Sequence, residues 1–299
     1  MSEHFADRLL EAIARKGSPV CVGLDPAMEH LPAELAPPTD ATAQQKVAAV
    51  RAFCQGVLEA VAPVAPAVKP QIAFFEQLGP GGYALYFEMV ALARRLGLMV
   101  IGDVKRGDIG STAAAYAAAH LAGADAPDAV TVNGYFGADG IEPFIKVAAA
   151  TGRGLFVLVR TSNPSAGALQ DFADATGRKL YELAAGQLAN QADRPDLIGA
   201  SGYSCVGAVV GATWPDQARR LRQLMPRQLF LVPGYGAQGA SAADCAAAFK
   251  PDGAGAIVNS SRAVLTAHRR KDLAGMDWRA AVRQGAVELA ADIRQAVGR

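Results

Sequence analysis

The 299-residue sequence has no apolar run near the length a membrane-crossing helix needs, because its most hydrophobic stretches break at Gly, Pro or a charge after about 5 to 8 residues. That excludes a transmembrane helix. There is no excess of either charge: 29 Lys and Arg face 28 Asp and Glu, for a formal net charge of +1. No global field then favours nucleic acid or an anionic membrane, and any anion must be held locally. Cysteine is scarce, and Cys21, Cys54, Cys205 and Cys245 are too scattered for a CxxC pair, which predicts reduced thiols in a cytoplasmic protein. His4, His30, His120 and His268 lack HxH or HxxxH spacing and offer no zinc site. No GxGxxG follows the first apolar strand, where a dinucleotide-binding open sheet carries one; Asp25-Pro26 stands there instead.

What is present is enough apolar material, 51% of the chain against 19% charged, to bury a large core and exclude disorder as the main state. The first residues place Glu3, Asp7 and Glu11 among Phe5, Leu9, Leu10 and Ile13, the pattern of an amphipathic helix and not of an export signal. Eight short runs follow: Val20–Leu24, Ala65–Val68, Leu98–Ile101, Ala129–Val132, Leu155–Val159, Val206–Val210, Leu229–Val232 and Ala256–Val258. Most are rich in Val, Ile and Leu without polar alternation, as strands buried on both faces are. Segments of helical periodicity, such as Tyr83–Leu96 and Ser111–Leu121, lie between them. Strand starts recur at intervals the size of a βα unit, and eight such units predict one α/β domain over 1–299, a (β/α)8 TIM barrel with an N-terminal helix. The longest interval, between strands five and six, carries AGQLANQADRPDLIGASGYS (185–204), whose punctuation suggests an insertion; Leu35–Gln45 reads as a surface loop.

In such a barrel the chemistry sits where strands end and βα loops begin. Polar residues cluster there: Asp25, Lys69, Asp103 and Lys105, Asn133, Arg160 to Asn163, Gly234 to Gly239, and Asn259 to Arg262. In IGDVKRGDIGST (101–112), Asp103 and Lys105 are two apart, so a strand projects both to one side, and Asp108 follows in the loop. A lone DxK is as readily a structural salt bridge. With Lys69 arriving from the neighbouring strand, however, alternating Lys, Asp, Lys, Asp charges become possible, and desolvating four charges merely to hold a fold is unfavourable. LVPGYGAQG (231–239) followed by VNSSR (258–262) has the glycine-rich backbone, helix start and arginine that hold a phosphate, at the usual barrel position for one. Cys21 reads as an inert buried residue, Trp214 and Trp278 as packing, and Arg219, Arg220 and Arg222 as a solvated basic helix face.

VGLDP, VKPQIAFFE, GDVKRGDIGST, RTSNP, VPGYGAQG and NSSR, in that order from Val20 to Arg262, resemble the successive strand ends of the orotidine 5′-phosphate decarboxylase family. Arg106-Gly107 between the second Lys and second Asp, with NSSR and the chain length, is similar to the family's longer bacterial form. The resemblance implies a charged tetrad of Lys69, Asp103, Lys105 and Asp108. It implies ribose contacts from Asp25 and Lys69, a pyrimidine contact from Ser162, and phosphate contacts from Gln238 and Arg262. Asp108 and Thr112 would reach across a homodimer into the neighbouring site. The implied reaction is orotidine 5′-phosphate to UMP and carbon dioxide, with Lys105 stabilising and protonating a C6 carbanion and no metal or organic cofactor. A magnesium-dependent sugar-phosphate lyase using DxKxxD, and a phosphate-ligand sensor without catalysis, are the competing readings. The lyase would call for a further acidic ligand where Lys69 stands.

Overall fold

The computed structural model describes residues 4–298. Eight parallel strands close in sequence order into a barrel: β1 Val20–Leu24, β2 Ala67–Pro70, β3 Met99–Arg106, β4 Ala129–Val132, β5 Gly154–Arg160, β6 Val206–Val210, β7 Phe230–Pro233 and β8 Ala256–Ser260. The ring shuts where Val20 and Cys21 of β1 pair with Val258 and Asn259 of β8. β1, β2, β4, β6 and β8 are buried along their whole length, which explains their apolar composition. The helices are α1 Phe5–Lys16, α2 Ala43–Val61, α3 Ala73–Glu76, α4 Gly79–Arg95, α5 Gly110–Leu121, α6 Ala138–Thr151, α7 Ala166–Gln170, α8 Leu180–Ala192, α9 Pro215–Leu224, α10 Ala242–Ala246, α11 Arg262–Leu265 and α12 Trp278–Ala296.

The N-terminal helix forms as expected; Glu3 of that reading lies outside the described residues. Asp7 in the first turn and Arg15 and Lys16 in the last suit the helix dipole, and Gly17, at φ 62°, ends α1 in the left-handed region. Phe5, Leu9 and Ile13 form its buried face. Phe5 stacks edge-on against Phe156 at 5.9 Å, and Arg8 Nη1 reaches Asp128 Oδ1 at 2.6 Å just before β4. The helix therefore plugs the end of the barrel where strands begin, leaving the opposite end open.

Three expectations need correction. Ala185–Ala192 belongs to α8 and not to the insertion, because Tyr181, Ala185, Leu188, Ala189 and Ala192 share one buried helical face. The chain between β5 and β6 instead departs from the barrel pattern at 161–179, which includes α7, and again at 193–205. The loop read over Leu35–Gln45 ends at Thr42, whose Oγ1 accepts from Gln45 N at 3.2 Å while Thr42 N donates to Gln45 Oε1 at 2.8 Å, a capping box that starts α2. Arg222 is not on a solvated face. It is buried, donates to the carbonyls of Ala248, Met225, Gln228 and Gly255 at 2.7–3.0 Å, and lies 3.5 Å from the Phe230 ring centre. Burial lowers its guanidinium to about 10. Arg219 and Arg220 remain exposed but are paired with Asp216 and Glu182.

Candidate active site

The strand ends opposite α1 converge on a cavity of about 460 Å³ with an apolar floor of Leu158, Val209 and Leu231. Its polar wall is built around Asp103. Oδ1 accepts from Lys105 Nζ at 2.5 Å and from Thr131 Oγ1 at 2.9 Å, and Oδ2 accepts from Lys69 Nζ at 2.5 Å and from Gln71 Nε2 at 3.0 Å. Four donors saturate one buried carboxylate. Burial pushes the Asp103 carboxyl upward, but the Lys69 and Lys105 ammonium groups and their hydrogen bonds outweigh it and hold it well below the usual carboxylate range. Burial likewise disfavours the Lys69 cation, yet the charges of Asp103 and Asp25 prevail and raise it above an ordinary lysine.

These opposite shifts fix the pH behaviour. Asp103 stabilises the fold fully above the unfolded aspartate value of about 4, and the contribution is lost as pH falls through its depressed folded value. Lys69 stabilises fully below about 10 and loses its contribution as pH rises through its raised value. In thermal unfolding, the difference in Tm between the natural protein and Asp103→Asn should therefore stay flat from about pH 5 to pH 7 and change below about pH 4. A slope within the neutral window would contradict the charge assignment.

Lys69 and Lys105 meet Asp103 in different ways. The Lys69 side chain is 7% exposed, whereas that of Lys105 is 45% exposed and faces the cavity. Lys105 also has φ 43°, a left-handed conformation no other described non-glycine residue adopts. It falls in a bulge: β3 and β4 pair at Gly102 and Val130 and next at Arg106 and Val132, so β3 carries two extra residues there. Asp25, at the end of β1, lines the same wall and keeps a buried Oδ1 with no donor among the described residues.

Across the cavity lies the glycine-rich loop after β7. Gly234, at φ 116°, opens a turn that Gly236 N closes on Ala240 O at 2.9 Å, and Arg262 Nη2 ties to Ala237 O at 3.1 Å. Gln238 and Arg262 both line the cavity and are both exposed. The helix start expected after β8 is a single turn, α11. Ser162 lines the cavity from the β5 end, its carbonyl accepting from Thr213 Oγ1 at 3.2 Å, and a Cβ at Gly211 would come within 2.8 Å of Ser162 Cα. Trp214, expected only to pack, also donates from Nε1 to Thr161 O at 2.9 Å.

The structure thus brings Asp25, Lys69, Asp103, Lys105, Ser162, Gln238 and Arg262 to one cavity. It does not bring Asp108 or Thr112 there. Asp108 Oδ1 accepts from Ile109 N at 2.8 Å, and Thr112 is exposed on α5. Within one chain the charged cluster has three members, not four. Two polar lining residues escaped the sequence reading: Gln71 and Thr131. Gln71 stands two residues beyond Lys69, and Thr131 is the one polar residue in AVTV. Each carried a signal that only the Asp103 carboxylate makes meaningful. Cys21 is buried in β1 and its thiol is pushed up to about 12 by burial, which leaves it inert at neutral pH.

The sequence matches the family described as orotidine 5′-phosphate decarboxylase / HUMPS over residues 18–274. It is 46% identical over 296 residues to the orotidine 5′-phosphate decarboxylase of Rhodopirellula baltica, covering 95% of this chain and 97% of that one. It is 43% identical to that of Deinococcus radiodurans, with both chains fully covered. The structure of Leishmania donovani OMP decarboxylase superposes with a TM-score of 0.76 at 32% identity, covering 99% of each chain. With a family match over most of its length and relatives this similar end to end, the chain belongs to the orotidine 5′-phosphate decarboxylase family.

Proposed function

We propose that this protein is a carboxy-lyase that converts orotidine 5′-phosphate to UMP and carbon dioxide, the decarboxylation step of pyrimidine nucleotide synthesis, without a metal or organic cofactor. The observation that carries the reading is the buried Asp103 carboxylate saturated by Lys69, Lys105, Thr131 and Gln71. Such a carboxylate has no lone pair left for a metal ion. Its role is to fix the Lys105 ammonium at the cavity. When the bond from C6 to the carboxylate breaks, the electron pair stays on C6 in an orbital with no adjacent sink, so stabilisation must come from a cation already in place. Lys105 supplies that cation and then its proton, forming the C6–H bond of UMP and becoming a neutral amine that water reprotonates. Preorganised electrostatics is the larger contribution, since the donors around Asp103 need no rearrangement during reaction.

The remaining lining residues take substrate-binding roles in this reading. Asp25 and Lys69 hold the ribose hydroxyls, Ser162 the pyrimidine edge, and Gln238 and Arg262 the phosphate. Phosphate is remote from the reacting carbon, so its binding energy serves to position the ring. Arg262→Ala should raise KM and weaken UMP binding by about 10- to 100-fold, the worth of one charge-assisted hydrogen bond, with a smaller effect on kcat.

The assembly that fits is a homodimer in which Asp108 and Thr112 serve the neighbouring site. Supporting it, Ile109 just before α5, Tyr116 on it, and Tyr135 and Phe136 just after β4 are all exposed, Tyr135 by 77%. Exposed apolar side chains that gather on one surface commonly mark an interface with another chain. Residues 1–299 would form one catalytic domain, in keeping with a main core cluster that runs from Phe5 to Ile293. A cytoplasmic setting agrees with four free, buried cysteines. No helix among the described residues is long and apolar enough to cross a membrane. Nucleic acid is not an expected partner.

The reading is tested by incubating purified protein with orotidine 5′-phosphate and resolving the products by chromatography. UMP and carbon dioxide in equal amounts are expected, with orotidine lacking the phosphate reacting far more slowly. A sugar phosphate turned over in place of the nucleotide would favour the lyase, and orotidine reacting as well as the nucleotide would remove the phosphate site.

A further inference from the structure

The β3 bulge leaves a gap in the ladder at the place where Lys105 sits. Between the pairs Gly102–Val130 and Arg106–Val132, the only β4 residue opposite Asp103, Val104 and Lys105 is Thr131. A backbone N–H in that gap loses its usual carbonyl partner. The Thr131 side chain replaces it: Lys105 N donates to Thr131 Oγ1 at 2.9 Å. The same hydroxyl has one proton, and it donates that proton to Asp103 Oδ1, also at 2.9 Å. Thr131 is 1% exposed, so both bonds are shielded from water. One oxygen therefore touches the main chain of Lys105 and the carboxylate that holds the Lys105 ammonium.

We infer that Thr131 is a positioning residue for the decarboxylation: its hydroxyl fixes the left-handed backbone of Lys105 and the Asp103 oxygen bonded to Lys105 Nζ, and so sets where the ammonium lies. A left-handed conformation is unfavourable for a side-chain-bearing residue and persists only where neighbours enforce it. Without the hydroxyl, Lys105 N and Asp103 Oδ1 each lose a buried partner, and Lys105 can relax toward an ordinary extended backbone. The ammonium would then shift relative to the cavity while the ribose and phosphate contacts stay in place. This inference rests on the proposed role of Lys105.

The test compares Thr131→Val, which keeps the branched shape and removes the hydroxyl, with Thr131→Ser, which keeps the hydroxyl and removes the methyl. Thr131→Val should lower kcat by about 10- to 100-fold, the cost of a small misplacement of a reacting group. Its KM and its UMP affinity by calorimetry should stay within about threefold of the natural protein. Thr131→Ser should recover most of the lost kcat. A Thr131→Val kcat within twofold of the natural protein overturns the inference, as does a Thr131→Ser enzyme equally slow, because shape and not the hydroxyl would then matter. Should Thr131→Val fail to fold, the serine variant alone decides: near-natural kcat with normal UMP binding upholds the inference, and a loss matching that of a folded Thr131→Ala overturns it. Failure of the underlying reading looks different, since the natural protein itself would then not decarboxylate orotidine 5′-phosphate.

Discussion

Lys105→Ala is expected to lose at least about 100- to 1000-fold in kcat, the roughly 2.7–4 kcal/mol that removal of a single preorganised electrostatic donor costs, while still binding UMP measurably. The expectation follows from what Lys105 does and does not touch. Its ammonium is 2.5 Å from Asp103 and half-exposed at the cavity wall, whereas the glycine-rich loop and Arg262 lie across the cavity and are unaffected by its removal. The loss should therefore appear in kcat with nucleotide affinity largely kept. Steady-state kinetics beside UMP calorimetry provide the check. Activity within tenfold of the natural protein would refute the assignment of Lys105 as cation and proton donor.

A second large effect concerns Asp108. Among the described residues Asp108 accepts from Ile109 N and does not line the cavity, so the proposed catalytic role for it is one through a neighbouring subunit. Lys105→Ala and Asp108→Ala proteins should each be nearly inactive. Mixed and allowed to exchange subunits, they would form, in the proposed homodimer, pairs in which one site carries both defects and the other draws Lys105 and Asp108 from the two unaltered positions. With random exchange about half the dimers are mixed and each has one intact site, so roughly a quarter of natural activity should return, given a two-fold isologous contact. No recovery, with exchange verified by mass spectrometry, would put Asp108 outside the shared site.

The barrel was legible because its determinants are local. Eight apolar runs at βα spacing require nothing but hydrophobic periodicity, and all eight became strands in order. Errors came where tertiary contact overrode local punctuation. Gly186 and Asp193 contributed to the reading of an insertion over 185–204, yet the buried face from Tyr181 to Ala192 makes its first part, Ala185–Ala192, helical. Arg222 read as a solvated cation because its carbonyl partners at Ala248 and Gly255 are remote in sequence.

The site was legible in its charges and not in their support. Asp103 and Lys105 were paired through strand alternation, and they do meet, but through a bulge and a left-handed lysine that a spacing of two does not reveal. Thr131 and Gln71 complete the carboxylate's shell from other strands, and nothing within AVTV or KPQ announces that partner. Asp108 read as the fourth charge of an alternating cluster, whereas the turn into α5 carries it away from the cavity of its own chain.

The most direct measurement is the loss of orotidine absorbance with purified protein and orotidine 5′-phosphate, run with and without EDTA after prior dialysis against the chelator. The saturated Asp103 carboxylate and the Lys105 ammonium predict turnover that is unchanged by chelation and by added magnesium. Turnover abolished by EDTA and restored by magnesium would contradict the account, and so would tight nucleotide binding without any loss of absorbance.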